Sequence, residues 1–325
     1  MITENILAAL AMLPCPAIFL GEELWLNKAM RELVTSEEAS ALFPAGENAR
    51  FVVLRGRQFA VLHMEEETRA LLLMEQFSHE EDDDRADALE MRLRNVLASA
   101  VLAAGLLGRE VPAGKGKSYL AELKKNIAQV ERVINDIHTA HLKGIGGMRL
   151  YDVEAGTREL FDKVNYYLPD EKKVEYRVDE GEVYFRCEAS LVEAMLLDLA
   201  VELLARGSRE GRVSLAVTPG ERVTFAFTAT DLGEFRGELE SMLFEKAGEG
   251  SGFEAARRVV RLHEGSLYVK MQGETGAVVT VTLPRRDDKA EVYQPEGKYQ
   301  GYDYVRMMLS DILERDAFLD GAGRG

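Results

Sequence analysis

Three glycines at two-residue spacing, Gly248, Gly250 and Gly252, open the stretch GEGSGFEAARRVVRLHEG and run straight into an amphipathic segment. Glycine lets backbone N–H groups come close to an anion, and a helix N-terminus carries the partial positive charge that favours one, so this stretch has the makings of a phosphate cradle. A glycine turn before a helix would look the same, because the spacing alone is a weak signal. The sequence offers no competing chemistry: it has no metal-spaced His and Cys cluster, no nucleophile elbow and no P-loop. Cys15 and Cys187 are too few for a disulfide framework or a Cys-based metal site, and they suit a reduced cytoplasm.

The elements around this stretch must decide between the two readings. A chain of 325 residues with 46% hydrophobic content has room for two or three domains with real cores. A net charge of −16 argues against nucleic acid and anionic membranes as partners, since both need clustered Lys and Arg. The first twenty residues are apolar but lack a basic start and are broken by Pro14 and Pro16, so neither a signal peptide nor membrane insertion is expected.

Residues 1–78 alternate short β-like runs (AIFL, LWLN, RFVVLRG, QFAVLHM) with a helical stretch near Lys28, which predicts a small α+β module. The acidic run HEEDDDRAD marks a boundary. Over residues 80–146, Leu89, Leu93, Val96, Ala100, Ala103 and Leu107, then Leu120, Leu123, Ile127, Val130, Ile134, Ile137 and His141, fall at steps of three and four. Ser118 is the expected N-cap of the second helix. The Pro and Gly of REVPAGKGK join the two as an antiparallel hairpin. Each apolar stripe needs a partner, so the hairpin is expected to form a dimeric four-helix bundle, making the protein a homodimer. Residues 147–286 then read as a mixed α/β sandwich. Its helix opens at a capping box formed by Ser190 and Glu193, runs to Arg206 and stops at Gly207. Residues 287–325 form a C-terminal tail with a short helix, expected to pack on the sandwich.

In its order of parts, the span from 80 to 284 resembles a bacterial sensor histidine kinase. The helical hairpin, the helix LLDLAVELLARGS, then DLG, LFEK and GEGSG arrive in that family's sequence, followed by RRVVRLHEG. The segment around AIFLGEELWLNKAMREL resembles a shortened PAS sensor module. The resemblance implies an α+β multidomain chain: a PAS-like module, a dimerisation hairpin and a GHKL-type ATP-binding domain. It further implies an ATP and Mg²⁺ site, signal transduction in the cytoplasm, and a response regulator or another kinase as partner.

Carried over residue by residue, the resemblance makes Gly248, Gly250 and Gly252 the phosphate loop. Asp231 becomes the acceptor for the adenine amino group, with Gly233 behind it, while Phe235 stands where the family has glycine. Asp198 and Glu202 occupy the places of two asparagines, the second of which holds Mg²⁺ in the family. Carboxylates can ligate Mg²⁺, yet two added negative charges repel a triphosphate, by about 1 kcal/mol per pair at 4 Å in water. Weakened Mg–ATP affinity is the expectation. The loop between LFEK and GEGSG is nearly absent, which leaves Lys246 and Arg206 as the cations near the phosphates. Met91 stands where the phospho-accepting His belongs, with Arg92 beside it, and a thioether cannot take a phosphoryl group as imidazole does. An antiparallel hairpin turning near Ala113 places Met91 opposite Asn135, one turn from His138, the substitute acceptor. Three functions follow as expectations: a catalytically impaired regulatory scaffold, an active kinase using His138, or an ATP-sensing switch without phosphotransfer.

Overall fold

The computed structural model describes residues 11, 16–20, 24–35, 38–39, 51–55, 57–63, 70–76, 93, 97, 100–101, 104, 107, 114–179, 184–208, 210–244, 251–285 and 302–319. Met91, Arg92, Lys246, Gly248 and Gly250 lie outside them, as does the acidic run near residue 80.

The N-terminal module contributes β1 (Ala17–Leu20), β2 (Leu24–Leu26), α1 (Lys28–Leu33), β3 (Phe51–Leu54), β4 (Arg57–His63) and β5 (Ala70–Gln76). Asn27 fixes the start of α1: its side chain accepts from the Met30 N–H at 2.9 Å, the capping bond that Asn supplies best, and also from the Ala17 N–H. The second half comprises β6 (Arg149–Asp152), α3 (Val153–Tyr167), β7 (Glu175–Val178), β8 (Tyr184–Cys187), α4 (Ala189–Arg206), β9 (Val213–Thr218) and β10 (Arg222–Ala229). It continues through α5 (Phe235–Phe244), α6 (Gly252–Leu262), β11 (Ser266–Gln272) and β12 (Gly276–Pro284). Between the halves lies α2 (Lys115–Ala140), and the chain ends in α7 (Tyr302–Met308) followed by two 3₁₀ turns, Leu309–Asp311 and Arg315–Phe318.

Ten strands form one sheet in the order β2-β1-β5-β4-β3-β11-β12-β10-β9-β7, all antiparallel except β7 against β9. The N-terminal module thus shares one sheet with the second half of the chain, because Val53 of β3 pairs with Leu267 of β11; β6 and β8 form a separate two-stranded sheet. Period-two alternation sets the faces: Val223, Phe225, Phe227 and Ala229 of β10 are buried among helices, while Thr224 and Thr228 point the other way. Helix α4 is apolar nearly all round because it lies in the middle of the helical layer, whereas α6 buries one stripe of Phe253, Ala256, Val259 and Val260.

Three local expectations need correction. Helix α4 starts at Ala189 with Glu188 as N-cap; the Ser190 hydroxyl donates to Glu188, and Glu193 accepts from the Tyr151 hydroxyl instead of closing a capping box. The second hairpin helix, α2, begins at Lys115 after Gly114, whose φ of 112° only glycine adopts readily, so Ser118 lies inside the first turn. The expected seam of α2 is split. Leu120 and Ile134 are buried, but Leu123 and Val130 are exposed, and the most buried face carries Ala121, Ala128, Arg132, Asp136 and Thr139. That face turns inward because α2 packs against α6 and the C-terminal segment. Six residues of the first hairpin arm, Leu93, Leu97, Ala100, Val101, Ala104 and Leu107, are helical. Among the described residues no helix is long and apolar enough to cross a membrane.

Candidate functional site

Helix α6 begins where a phosphate cradle would, yet its first N–H groups are already engaged. A helix N-terminus leaves its leading donors without partners inside the helix. Here Gly252 N–H donates to Glu202 Oε1 at 3.1 Å, Phe253 N–H to the Ser251 hydroxyl at 3.3 Å, and Glu254 N–H to the Ser251 carbonyl at 3.0 Å. Glycine at 252 suits a close approach: a Cβ there would sit 3.0 Å from Glu202 Oε1 and 3.3 Å from Asp198 Cβ, tight enough that the Glu202 side chain would have to give by a few tenths of an ångström. The carboxylate of α4 therefore occupies the place that an incoming anion would take.

Two arginines hold that carboxylate. Arg132, reaching in from α2, donates to Glu202 Oε1 at 2.8 Å and lies 3.7 Å from Asp136 Oδ2. It also pairs with Asp311 of the C-terminal 3₁₀ turn. Arg206, one turn beyond Glu202 on α4, pairs with Glu202 Oε2. Its guanidinium lies over two rings, 5.7 Å from the centre of Phe235 and 5.5 Å from that of Phe253, and these rings stack on each other with 9° between their planes. Phe235 thus fills space beside Arg206 with an aromatic sandwich. Arg132, Asp136, Asp198 and Glu202 are all at most 3% exposed.

The charges balance only if protons are retained. Arg132 and Arg206 bring two positive charges against four carboxyls, Asp136, Asp198, Glu202 and Asp311. Burial pushes Asp136 up to about 7, against the pull of Arg132. Asp198 is pushed well above the usual carboxylate range, by burial first and then by the neighbouring Asp136, to which it is hydrogen-bonded. With the two aspartic acids protonated, two cations face two anions. Between the ordinary carboxylate value near 4 and about pH 7, the folded chain holds more protons than the unfolded one, so this pair makes stability fall as pH rises through that window. Asp198→Asn should reduce the loss between pH 5.5 and 7.5 by on the order of 1 kcal/mol, read from urea midpoints of variant and parent. An unchanged pH slope would refute the retained-proton description.

Asp231 sits in the turn after β10 with φ 51°, followed by Gly233 at φ 56°. At Gly233 a side chain would meet nothing within 4 Å, so the left-handed backbone alone calls for glycine. The Asp231 carboxylate accepts from the Ser208 hydroxyl, and its carbonyl from the Ser208 N–H at 3.0 Å, which ties this turn to the end of α4. The structure therefore brings Asp198, Glu202, Arg206 and Gly252 together, with Asp231 joined to them through Ser208. Arg132, Asp136, Asp311 and Ser208 were not singled out by the sequence. Among the described residues, no group of three or more His, Cys, Asp and Glu is arranged to hold a metal ion.

The histidines divide by burial. His138 is exposed on α2 and His141 half-buried at its end. His263 is buried: Nδ1 lies 2.9 Å from the Val259 carbonyl, and Nε2 accepts from the Glu188 N–H at 3.1 Å.

No protein-family model matches the chain, and no curated protein matches it. Solved structures do. Full-length ShkA, a histidine kinase whose crystal structure is a complex with AMPPNP, is 18% identical, with a TM-score of 0.54 over 64% of this chain and 47% of ShkA. The chain thus spans about half the length of that protein. Histidine kinase ThkA in complex with the response regulator TrrA is 12% identical over 87% of this chain and 99% of that one, with a TM-score of 0.44. Acinetobacter baumannii histidine kinase AdeS is 14% identical over 61% and 98%, with a TM-score of 0.42. The likeness to ShkA is one of fold, and the fold is histidine-kinase-like.

Proposed function

We propose that this histidine-kinase-like chain is a regulatory scaffold whose nucleotide site is closed by its own side chains. One observation carries the reading: the N–H that opens α6 and the Arg132 guanidinium both donate to the same oxygen of Glu202, so an internal carboxylate stands in for a phosphate. As arranged, these residues do not fit magnesium–ATP. An entering γ-phosphate would have to displace Glu202 from three donors, and Glu202 could ligate a cation only by releasing two arginines. The Asp231 carboxylate is already engaged by Ser208.

The remaining parts fit signalling by conformation. The N-terminal five-stranded antiparallel run β2-β1-β5-β4-β3, with α1 beside it, supports a PAS-like input module. Tyr119, Leu123, Val130 and Val133 lie exposed along one side of α2, with Val101 and Leu107 exposed on the first arm. Such a stripe supports a homodimer formed through the hairpin. Output would pass to a response regulator or another kinase in the cytoplasm, without nucleic acid or membrane insertion.

Calorimetry of the full chain with ATP and Mg²⁺ should give no saturable heat at up to about millimolar ligand, a free energy weaker than about −4 kcal/mol. Asp198→Asn/Glu202→Asn, which opens the cradle, should raise affinity at least about tenfold. Tight binding by the parent without transfer would favour the ATP-sensing switch. Incorporation of label from γ-labelled ATP, lost in His138→Ala, would replace the scaffold reading with an active kinase.

A further inference from the structure

A cavity of about 160 Å³ lies between the N-terminal module and one face of the strands of the second half of the chain. Val34, Glu38 and Leu54 close it from the module, and β10, β11 and β12 form its floor. Register puts Thr224 opposite Thr282 and Thr282 opposite Ser266, so three hydroxyl side chains stand in one row across the three strands. Such a row is ordinary on a sheet face open to water. Here the module covers it, and the hydroxyls of Ser266 and Thr282, residues 4% and 7% exposed, have no hydrogen-bond partner among the described residues.

Arg222, at the start of β10, completes the set. Its Nε lies 2.6 Å from Glu38 Oε1, and Nη2 donates to the carbonyls of Glu264 at 3.1 Å and Thr282 at 3.4 Å. Nη1 is buried and has no partner among the described residues. Native structures rarely leave buried donors unmatched, and several around one cavity point to something that fills it. Glu38, partly buried, is shared between Arg222 and the more exposed Arg55, the latter at 3.3 Å, and Glu264 adds a second negative charge near Arg222. Glu221 also lines the cavity but is exposed to solvent, where its charge is screened.

We propose that this cavity is a binding site for a small monocarboxylate. The free Nη1 edge of Arg222 and the hydroxyls of Ser266 and Thr282 would hold its carboxylate, while Val34, Leu54 and the Tyr268 ring enclose a short apolar body. Glu38 already pairs with Arg222, and Glu221 and Glu264 lie close by, so the site tolerates one added negative charge better than the two of a phosphate dianion. The volume is close to the ~150 Å³ that admits a benzene-sized ligand and far above what one water needs. Because the walls come from both halves of the chain, an occupant would brace the module against β10, β11 and β12. The inference rests on this cavity alone and stands whether or not ATP binds.

Calorimetry of the full chain with a series from acetate through butyrate to benzoate, with benzamide and inorganic phosphate as controls, tests the site. At least one carboxylate should give saturable heat, with benzamide and phosphate at least about tenfold weaker. Ser266→Ala/Thr282→Val, which keeps the Arg222–Glu38 pair, should lose at least about tenfold in affinity while melting within about 2 °C of the parent. Arg222→Lys should also lose affinity, since an ammonium cannot reproduce the fork. No saturable heat with any carboxylate would mean a cavity filled by water only and would overturn the proposal. So would equal binding by the double variant, or phosphate bound more tightly than every carboxylate.

Discussion

Replacing Glu202 with alanine should destabilise the folded chain by about 3 kcal/mol, at the lower end of what removing one partner from a buried ion pair costs. Three donors lose their acceptor at once: Gly252 N–H, Arg132 and Arg206. The cost stays near the lower end because Arg132 keeps Asp311 and Asp136. Asp311→Ala should cost under about 1 kcal/mol, since its side chain is 45% exposed and solvent screens the pair. Arg132→Met/Glu202→Met should recover part of the loss, because hydrophobic groups of similar volume often replace a buried pair without penalty. Urea denaturation of the four chains measures all of this. A Glu202→Ala chain within about 0.5 kcal/mol of the parent would behave like a surface variant, and the internal-phosphate description would fail.

The same residue shows how far the sequence could be read. Glu202 was found by its place in the helix after Leu196, but as a metal-ligand candidate and a source of repulsion; the structure makes it the centre of attraction. What reverses the sign is Arg132, 70 residues away in sequence. Local spacing cannot display such a pairing: within the α2 heptads an Arg followed four residues later by Asp reads as a solvated i,i+4 pair. A usable signal was present nonetheless. Two acids, Asp198 and Glu202, in the apolar run from Met195 to Leu204 demand buried cations or protons, and only the protons can be supplied without a partner. Elements with strong periodicity were legible. Strands β10 and β12 alternate, α4 ends at Gly207, and α6 follows the glycines. Caps were less so, because the pairing of β6 with β8 sets where α4 begins and Tyr151 draws Glu193 away. The joining of β3 to β11 rests on a single residue pair, which no alternation pattern encodes.

The C-terminal segment gives the second large effect. Leu309 is fully buried in the 3₁₀ turn that follows α7, together with Val305, Met308 and Phe318, and this segment packs on α2, α3 and α4. Lys125 of α2 donates to the Leu313 carbonyl at 2.8 Å, and Gln129 to Asp311 Oδ1 at 2.9 Å. Leu309→Ala should therefore cost about 2–5 kcal/mol, the range for emptying a packed core site, whereas a loosely appended tail would lose almost nothing. For a unit of this size each kcal/mol lowers the melting temperature by about 2–4 °C, so calorimetric scans resolve the difference easily. The position matters mechanically. Helix α2 meets α6 and the C-terminal turns on the face that carries Arg132, so it cannot swing away from α4 while Leu309 and Asp311 stay seated. Weakening Leu309 should then also increase hydrogen exchange along the Ala128–Thr139 face of α2 before global unfolding, through local opening that the parent suppresses. If exchange rose only in the C-terminal turns themselves, the segment would be an independent cap and the hairpin helix would be held by α6 alone.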